Sequence, residues 1–168
     1  MPKSPASAST HKKVVVLLFD GAALKGYLNP THLGRADEVD LLTASGEHRA
    51  IGLGDIKSVH FVREFAEPFQ LERKSFLSRP KIDGLWVRLR FRDQDELEGI
   101  VANNLLEIVD AGIQITPPDV HANTLRLFVP PSALIEMKVL GVVGIARRPP
   151  QERSATKAAA AQSKLFNE

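Results

Sequence analysis

Apolar and polar positions alternate along most of this chain with a period of two, the spacing of a strand with one face buried. Lys13 to Phe19 is β-branched and apolar, Asp20-Gly21 is a hairpin-turn dipeptide, and Ala23 to Leu28 returns as the partner strand. Glu38 to Thr43, His48 to Leu53 and Lys57 to Val62 follow, separated by Ser45-Gly46 and Gly54-Asp55. No amphipathic helix of ordinary length interrupts them.

The pattern then recurs. Leu85 to Phe91 leads into the polar turn Arg92-Asp93-Gln94-Asp95 and on to Glu96 to Ile100. Setting Phe91 on Phe19 places Val87 on Val15 and Leu89 on Leu17. One extra turn residue then brings Leu97 onto Leu24 and Gly99 onto Gly26. Gly112 to Thr116, Leu125 to Val129 and Ile135 to Leu140 complete a second set of strands, the last resembling Ile56 to Val62. The sequence therefore reads as a tandem duplication of a five-stranded unit, at 13–62 and 85–146, joined by a linker at 63–84. The recurring glycine suits either a strongly bent strand, where a Cβ would collide with the opposite wall, or a simple β-bulge.

Composition sets limits on chemistry. With no cysteine among 168 residues, disulfides, thiolate nucleophiles and Cys-based metal sites are excluded. The longest apolar run, Val14 to Leu18 with Phe19, is far short of the roughly 20 residues of a membrane-spanning helix. The start of the chain lacks the apolar core of a secretory signal, so no membrane partner and a cytoplasmic location are expected. Residues 1–12, rich in Ser, Ala, Pro and Lys, read as a disordered arm, and 147–168 as a flexible basic tail.

The net charge of +2 conceals an uneven distribution. Residues 1–13 carry +3, 71–92 carry +5 and 147–168 carry +3, whereas 14–70 carry −3 and 93–146 carry −6. Such asymmetry suits either a polyanionic partner or self-complementary pairing.

The unit starting Val14-x-Val16, with Phe19-Asp20-Gly21, Leu24, Gly26 and Tyr27, then Val39-Asp40-Leu41-Leu42, resembles the Sm-like small barrel of Sm, LSm and Hfq proteins. It is also similar to a group of uncharacterised bacterial proteins carrying two such units. The resemblance implies an all-β fold of two tandem five-stranded SH3/Sm-like small barrels. The RNA-binding residues of that family do not carry over, because Asp40 stands where a polar Asn is used and Lys57 to Phe61 lacks the Arg-Gly pair.

Among candidate sites, Arg88, Arg90 and Arg92 alternate on one strand face, spaced for phosphates or an acidic partner, with cross-strand pairing to Glu96 and Glu98 as the favoured alternative. In the first copy the equivalent positions are Val14, Val16 and Leu18, making that strand apolar on both faces. Its outer face needs cover from the other copy, from the linker with Phe65, Phe69 and Phe76, or from a second chain. Val14, Val16, Leu18 and Trp86 are thus the candidate interface. The histidines show no ligand spacing, Asp93 to Glu96 lacks the form of a calcium loop, and no nucleotide or hydrolase motif occurs, so no catalytic residue, metal or cofactor is expected. The functional expectation is a non-enzymatic binding or assembly module, with a protein partner or self-association, and nucleic-acid binding as the alternative.

Overall fold

The computed structural model describes residues 10–71, 73–104, 112–119 and 121–144. The expected arm up to residue 9 and the whole tail 147–168 lie outside these. Ten strands are present: β1 Lys12–Leu18, β2 Ala23–Leu28, β3 Glu38–Thr43, β4 His48–Gly52, β5 Ile56–Val62, β6 Gly84–Phe91, β7 Glu96–Val101, β8 Ile113–Ile115, β9 Thr124–Val129 and β10 Leu134–Val143. Among the described residues the only helical segments are single 3₁₀ turns, two of which, Leu53–Asp55 and Pro131–Ala133, introduce β5 and β10. The protein is all-β, and the alternation located every one of these strands to within a few residues.

The strands form a seven-stranded sheet in the order β4-β3-β2-β1-β5-β9-β8 and a three-stranded sheet in the order β10-β6-β7. Among the described residues a single bridge, Ile100 to Thr116, links β7 to the end of β8. Both sheets are open, which corrects the expectation of two closed barrels. Closing the first five strands requires β4 to reach β5, but β5 gives its free edge to β9, with Val59 opposite Phe128 and Phe61 opposite Arg126. The boundary drawn between the halves consequently runs through a shared sheet.

The two halves nevertheless use one pairing scheme. β1 lies between β2 and β5 as β6 lies between β7 and β10, all antiparallel. Val14 faces Gly26 and Val16 faces Leu24; Val87 faces Gly99 and Leu89 faces Leu97. Each first hairpin closes through the same bonds, Leu18 N–H to the Ala22 carbonyl at 2.9 Å and Phe91 N–H to the Asp95 carbonyl at 2.8 Å. Leu18, and not Phe19, is therefore the counterpart of Phe91, and no extra turn residue exists. Such a one-residue shift transfers every side chain to the other face.

That shift corrects the interface assignment at β1. The counterparts of Arg88 and Arg90 are Val15 and Leu17, whereas Val14 and Val16 face inward as Val87 and Leu89 do. Val14 and Val16 are fully buried in a first core with Val39, Leu41, Ile56, Val59 and Phe128, and Leu18 packs against it. Val14 and Val16 therefore present no surface to another chain, and Leu18 is partly buried. A second core gathers Leu85, Val87, Leu89, Phe91, Leu97, Ile115, Leu127 and Val129. β9 serves both, Phe128 pointing into the first core and its neighbours Leu127 and Val129 into the second, as the period of two dictates.

The linker provides cover for the outer faces. Phe65 stands edge-on to Tyr27 with ring centres 5.7 Å apart, Phe69 to His60 at 4.9 Å and Phe76 to Trp86 at 6.1 Å. Edge-to-face pairs at these separations contribute about 0.5–1.5 kcal/mol each beyond their buried area.

Candidate functional site

The arginine stripe sits on β6, where alternation turns Val87, Leu89 and Phe91 into the second core and Arg88 and Arg90 outward. Hairpin register places Glu98 directly opposite Arg88, and the guanidinium Nη2 donates to Glu98 Oε1 at 3.0 Å. Arg90 pairs with Glu136 of β10 at 3.4 Å. Arg92, beyond the strand, donates to the Gly54 carbonyl and lies over the Phe19 ring, 3.9 Å from its centre. The three arginines are thus committed within the chain, the first to an acid of the adjoining hairpin strand as favoured, the second to an acid on the other side.

Glu98 organises this face. Besides Arg88 it accepts from Trp86 Nε1 at 3.2 Å and from the Phe76 backbone N–H at 3.1 Å, which ties the linker to the sheet. Burial alone raises its pKa, but these three donors, the Phe76 N–H foremost, hold the carboxyl below its ordinary value. Trp86 is accordingly half-buried beneath the linker and engaged within the chain.

A second constellation joins the halves. Lys57 on β5 reaches across to the turn before β7, donating to Asp93 at 2.7 Å and to Asp95 at 2.9 Å, and Asp95 also accepts from Lys74 of the linker at 2.8 Å. Partial burial works against charge on Lys57, yet the two carboxylates raise its pKa. Burial likewise opposes ionisation of Asp93 and Asp95, but Lys57 with the Asp95 backbone N–H lowers the pKa of Asp93, and Lys74 with Lys57 lowers that of Asp95. The turn considered for calcium is instead a clamp for ammonium groups. Among the described residues no cluster of three or more His, Asp or Glu suits a metal ion.

Beside this clamp lies a groove of about 330 Å³ lined by Leu17, His60, Phe69, Phe91, Leu97 and Leu127 among others. His60 is 2% exposed, its Nε2 is 2.8 Å from Ser58 Oγ, and its Nδ1 has no partner. Burial, with Lys57 nearby, lowers its pKa to about 3, so the ring is neutral near pH 7. A Ser–His contact alone is not a catalytic dyad. No carboxylate orients the ring, and the hydroxyl is buried with it.

Neither Lys57 nor Asn123 stood out in the sequence. Asn123 grips the Glu64 backbone, its Oδ1 accepting from the N–H at 2.9 Å and its Nδ2 donating to the carbonyl at 2.8 Å, and so extends the β5–β9 junction. Both act between residues about 35–60 positions apart, beyond any local pattern.

The open edges complete the surface. β4 bounds one sheet and β10 the other. Of the five exposed large hydrophobic residues among those described, three lie on β10: Ile135 at 50%, Val139 at 49% and Val142 at 63%.

A family model spans residues 10–141, from the first strand to the last. The chain belongs to DUF6982, a family of unknown function. No curated protein and no solved structure matches the chain. The region matched in this DUF6982 chain takes in both cores, the Lys57 clamp, the β5–β9 junction and most of β10. Among the described residues, no helix of this DUF6982 protein is long and apolar enough to cross a membrane.

Proposed function

We propose that this DUF6982 chain is a non-enzymatic assembly module of the cytoplasm, built from two copies of an Sm-like unit, which joins chains through its sheet edges. The observation that carries this reading is β10. It is a ten-residue edge strand, bulged between Leu134 and Glu136 and between Val139 and Gly141, with three exposed aliphatic side chains; among the described residues no strand pairs with its outer flank, where Arg79 of the linker donates to the Val142 carbonyl at 3.0 Å. Edge strands of isolated proteins are ordinarily short, charged or interrupted by proline, because an open apolar edge templates pairing with another chain. A β10 of this length and composition suits a protein whose edge has a partner.

Two further observations support the duplicated Sm-like unit. The order β5-β1-β2-β3-β4 in the first half has its counterpart in β10-β6-β7, continued through the Ile100–Thr116 bridge to β8 and β9. The glycines at matching positions, Gly26 and Gly99, both lie where a Cβ would come within 2.5 Å of the neighbouring strand. Nucleic-acid binding is the weaker alternative, since its three arginines are spent on Glu98, Glu136, Gly54 and Phe19.

Light scattering on the purified full chain tests the proposal. The expected result is a mass of more than one copy per particle at micromolar concentration. A strict monomer at high concentration refutes it.

A further inference from the structure

Resting on that assembly reading, we infer that β10 pairs antiparallel with β10 of a second copy, about a two-fold axis at Met137. The sequence of the strand is complementary to its own reverse around this residue. With Met137 facing its equivalent, Glu136 stands opposite Lys138 of the other copy within the regular stretch 136–139, and Val139 stands opposite Ile135, the residue at which β10 bulges. Lys138 thus gains an acid, while Glu136 keeps Arg90, and the two flanking exposed apolar side chains gain a neighbour by the same symmetry operation, the isologous arrangement commonest among homodimers.

Charge within the chain points the same way. Lys138 lies beside Arg88 on β6, a like charge, and no acid pairs with it among the described residues. Glu136 of a second copy supplies that acid. The apolar side agrees. Val139 lies opposite Val87 of the second core yet remains half exposed, because among the described residues no strand lies beyond β10. A neighbouring β10 prolongs that core across the axis.

The rival partner for this edge is β4 of another copy, repeating head to tail the junction that β5 and β9 make within the chain. β10 corresponds to β5 by its pairing with the central strand, Met137 to Val59, and β4 corresponds to β9 through the neighbours β3 and β8. Copying the internal register then sets Lys138 against Arg49 and Val139 against His48. Like charges face each other and the apolar match is lost, so the self-paired β10 is the better fit.

The test uses the full-length chain. Lys138→Glu puts two acids opposite each other at both ends of the symmetric pair and weakens dimerisation roughly tenfold. It does so while giving Arg88 an acidic neighbour, so folding is not its target. The exchanged double variant Glu136→Lys/Lys138→Glu keeps one acid and one base beside Arg88 and Arg90, and restores the dimer. Because the chain has no cysteine, Glu136→Cys and Lys138→Cys proteins are also mixed under mild oxidation. A disulfide-linked heterodimer is expected, far in excess of either protein's own crosslink. A dimer that ignores Lys138→Glu, or a Lys138→Cys protein that crosslinks instead to Arg49→Cys, overturns the self-paired β10 and leaves the assembly reading standing. A chain that is monomeric at high concentration, its edge covered by its own residues or by nothing, overturns both.

Discussion

Replacing Gly99 with alanine probes the close approach on which the second half is built. The added Cβ would lie 2.5 Å from Ile115 Cγ2 and 2.9 Å from the Thr116 carbonyl oxygen. Thr116 forms, and Ile115 directly precedes, the bridge between the sheets, where Ile100 N–H donates to the Thr116 carbonyl at 3.0 Å and Thr116 N–H returns the bond at 2.9 Å. Relief requires the bridge to open. Two backbone hydrogen bonds at about 1 kcal/mol each, with overpacking of about 1–3 kcal/mol, give an expected loss of roughly 3–5 kcal/mol. Urea unfolding followed by the fluorescence of Trp86, the single tryptophan, measures it. Gly141→Ala is the control, since a Cβ there meets nothing within 4 Å, and its effect should stay within about 0.5 kcal/mol. A Gly99→Ala protein as stable as the Gly141→Ala control would refute the packing argument at β7.

Lys57→Ala leaves Asp93 and Asp95 beside one another with only Lys74 to balance them, and should lower stability by about 1–3 kcal/mol in the same assay; no change would make the clamp incidental. His60 titrates near 6.5 when unfolded but only near pH 3 when folded, so the unfolded chain binds the extra proton and stability falls as pH drops through this window. Between pH 6.5 and 5 the native protein should lose about 1.5 kcal/mol more than His60→Gln, which keeps a partner for Ser58. Equal losses in the two proteins would place the acid sensitivity elsewhere. Arg88→Ala should leave binding of a labelled random RNA at low salt unchanged, as judged by fluorescence anisotropy, because that guanidinium serves Glu98; a clear drop would favour the nucleic-acid alternative.

Strand positions were legible because a half-buried strand writes its period of two directly into the chain, and the Arg88–Glu98 pair was legible because a hairpin fixes its own register. The matched glycines Gly26 and Gly99 were visible for a related reason, since both face an inward residue of the central strand. The misreading of β1 came from aligning Phe91 with Phe19 by residue identity, when the four-residue turns 19–22 and 92–95 fix the alignment at Leu18. That single step exchanged Val14 and Val16, which face the first core, with Val15 and Leu17 of the opposite face, where Val15 is also fully buried. The shared sheet was not legible at all. Nothing local in Lys57 to Val62 says that its free edge belongs to residues 124–129, and the clamp of Lys57 on Asp93 and Asp95 depends on that same encounter.

Hydrogen exchange on the full chain, compared at low and high protein concentration, reaches the central claim most directly. If the chain assembles through its open edge, the backbone amides of 134–143 that point away from β6 gain protection as concentration rises, while those of the internal strand β1 do not change. Exchange from β10 that is fast and independent of concentration, in a particle of one copy, would contradict the account.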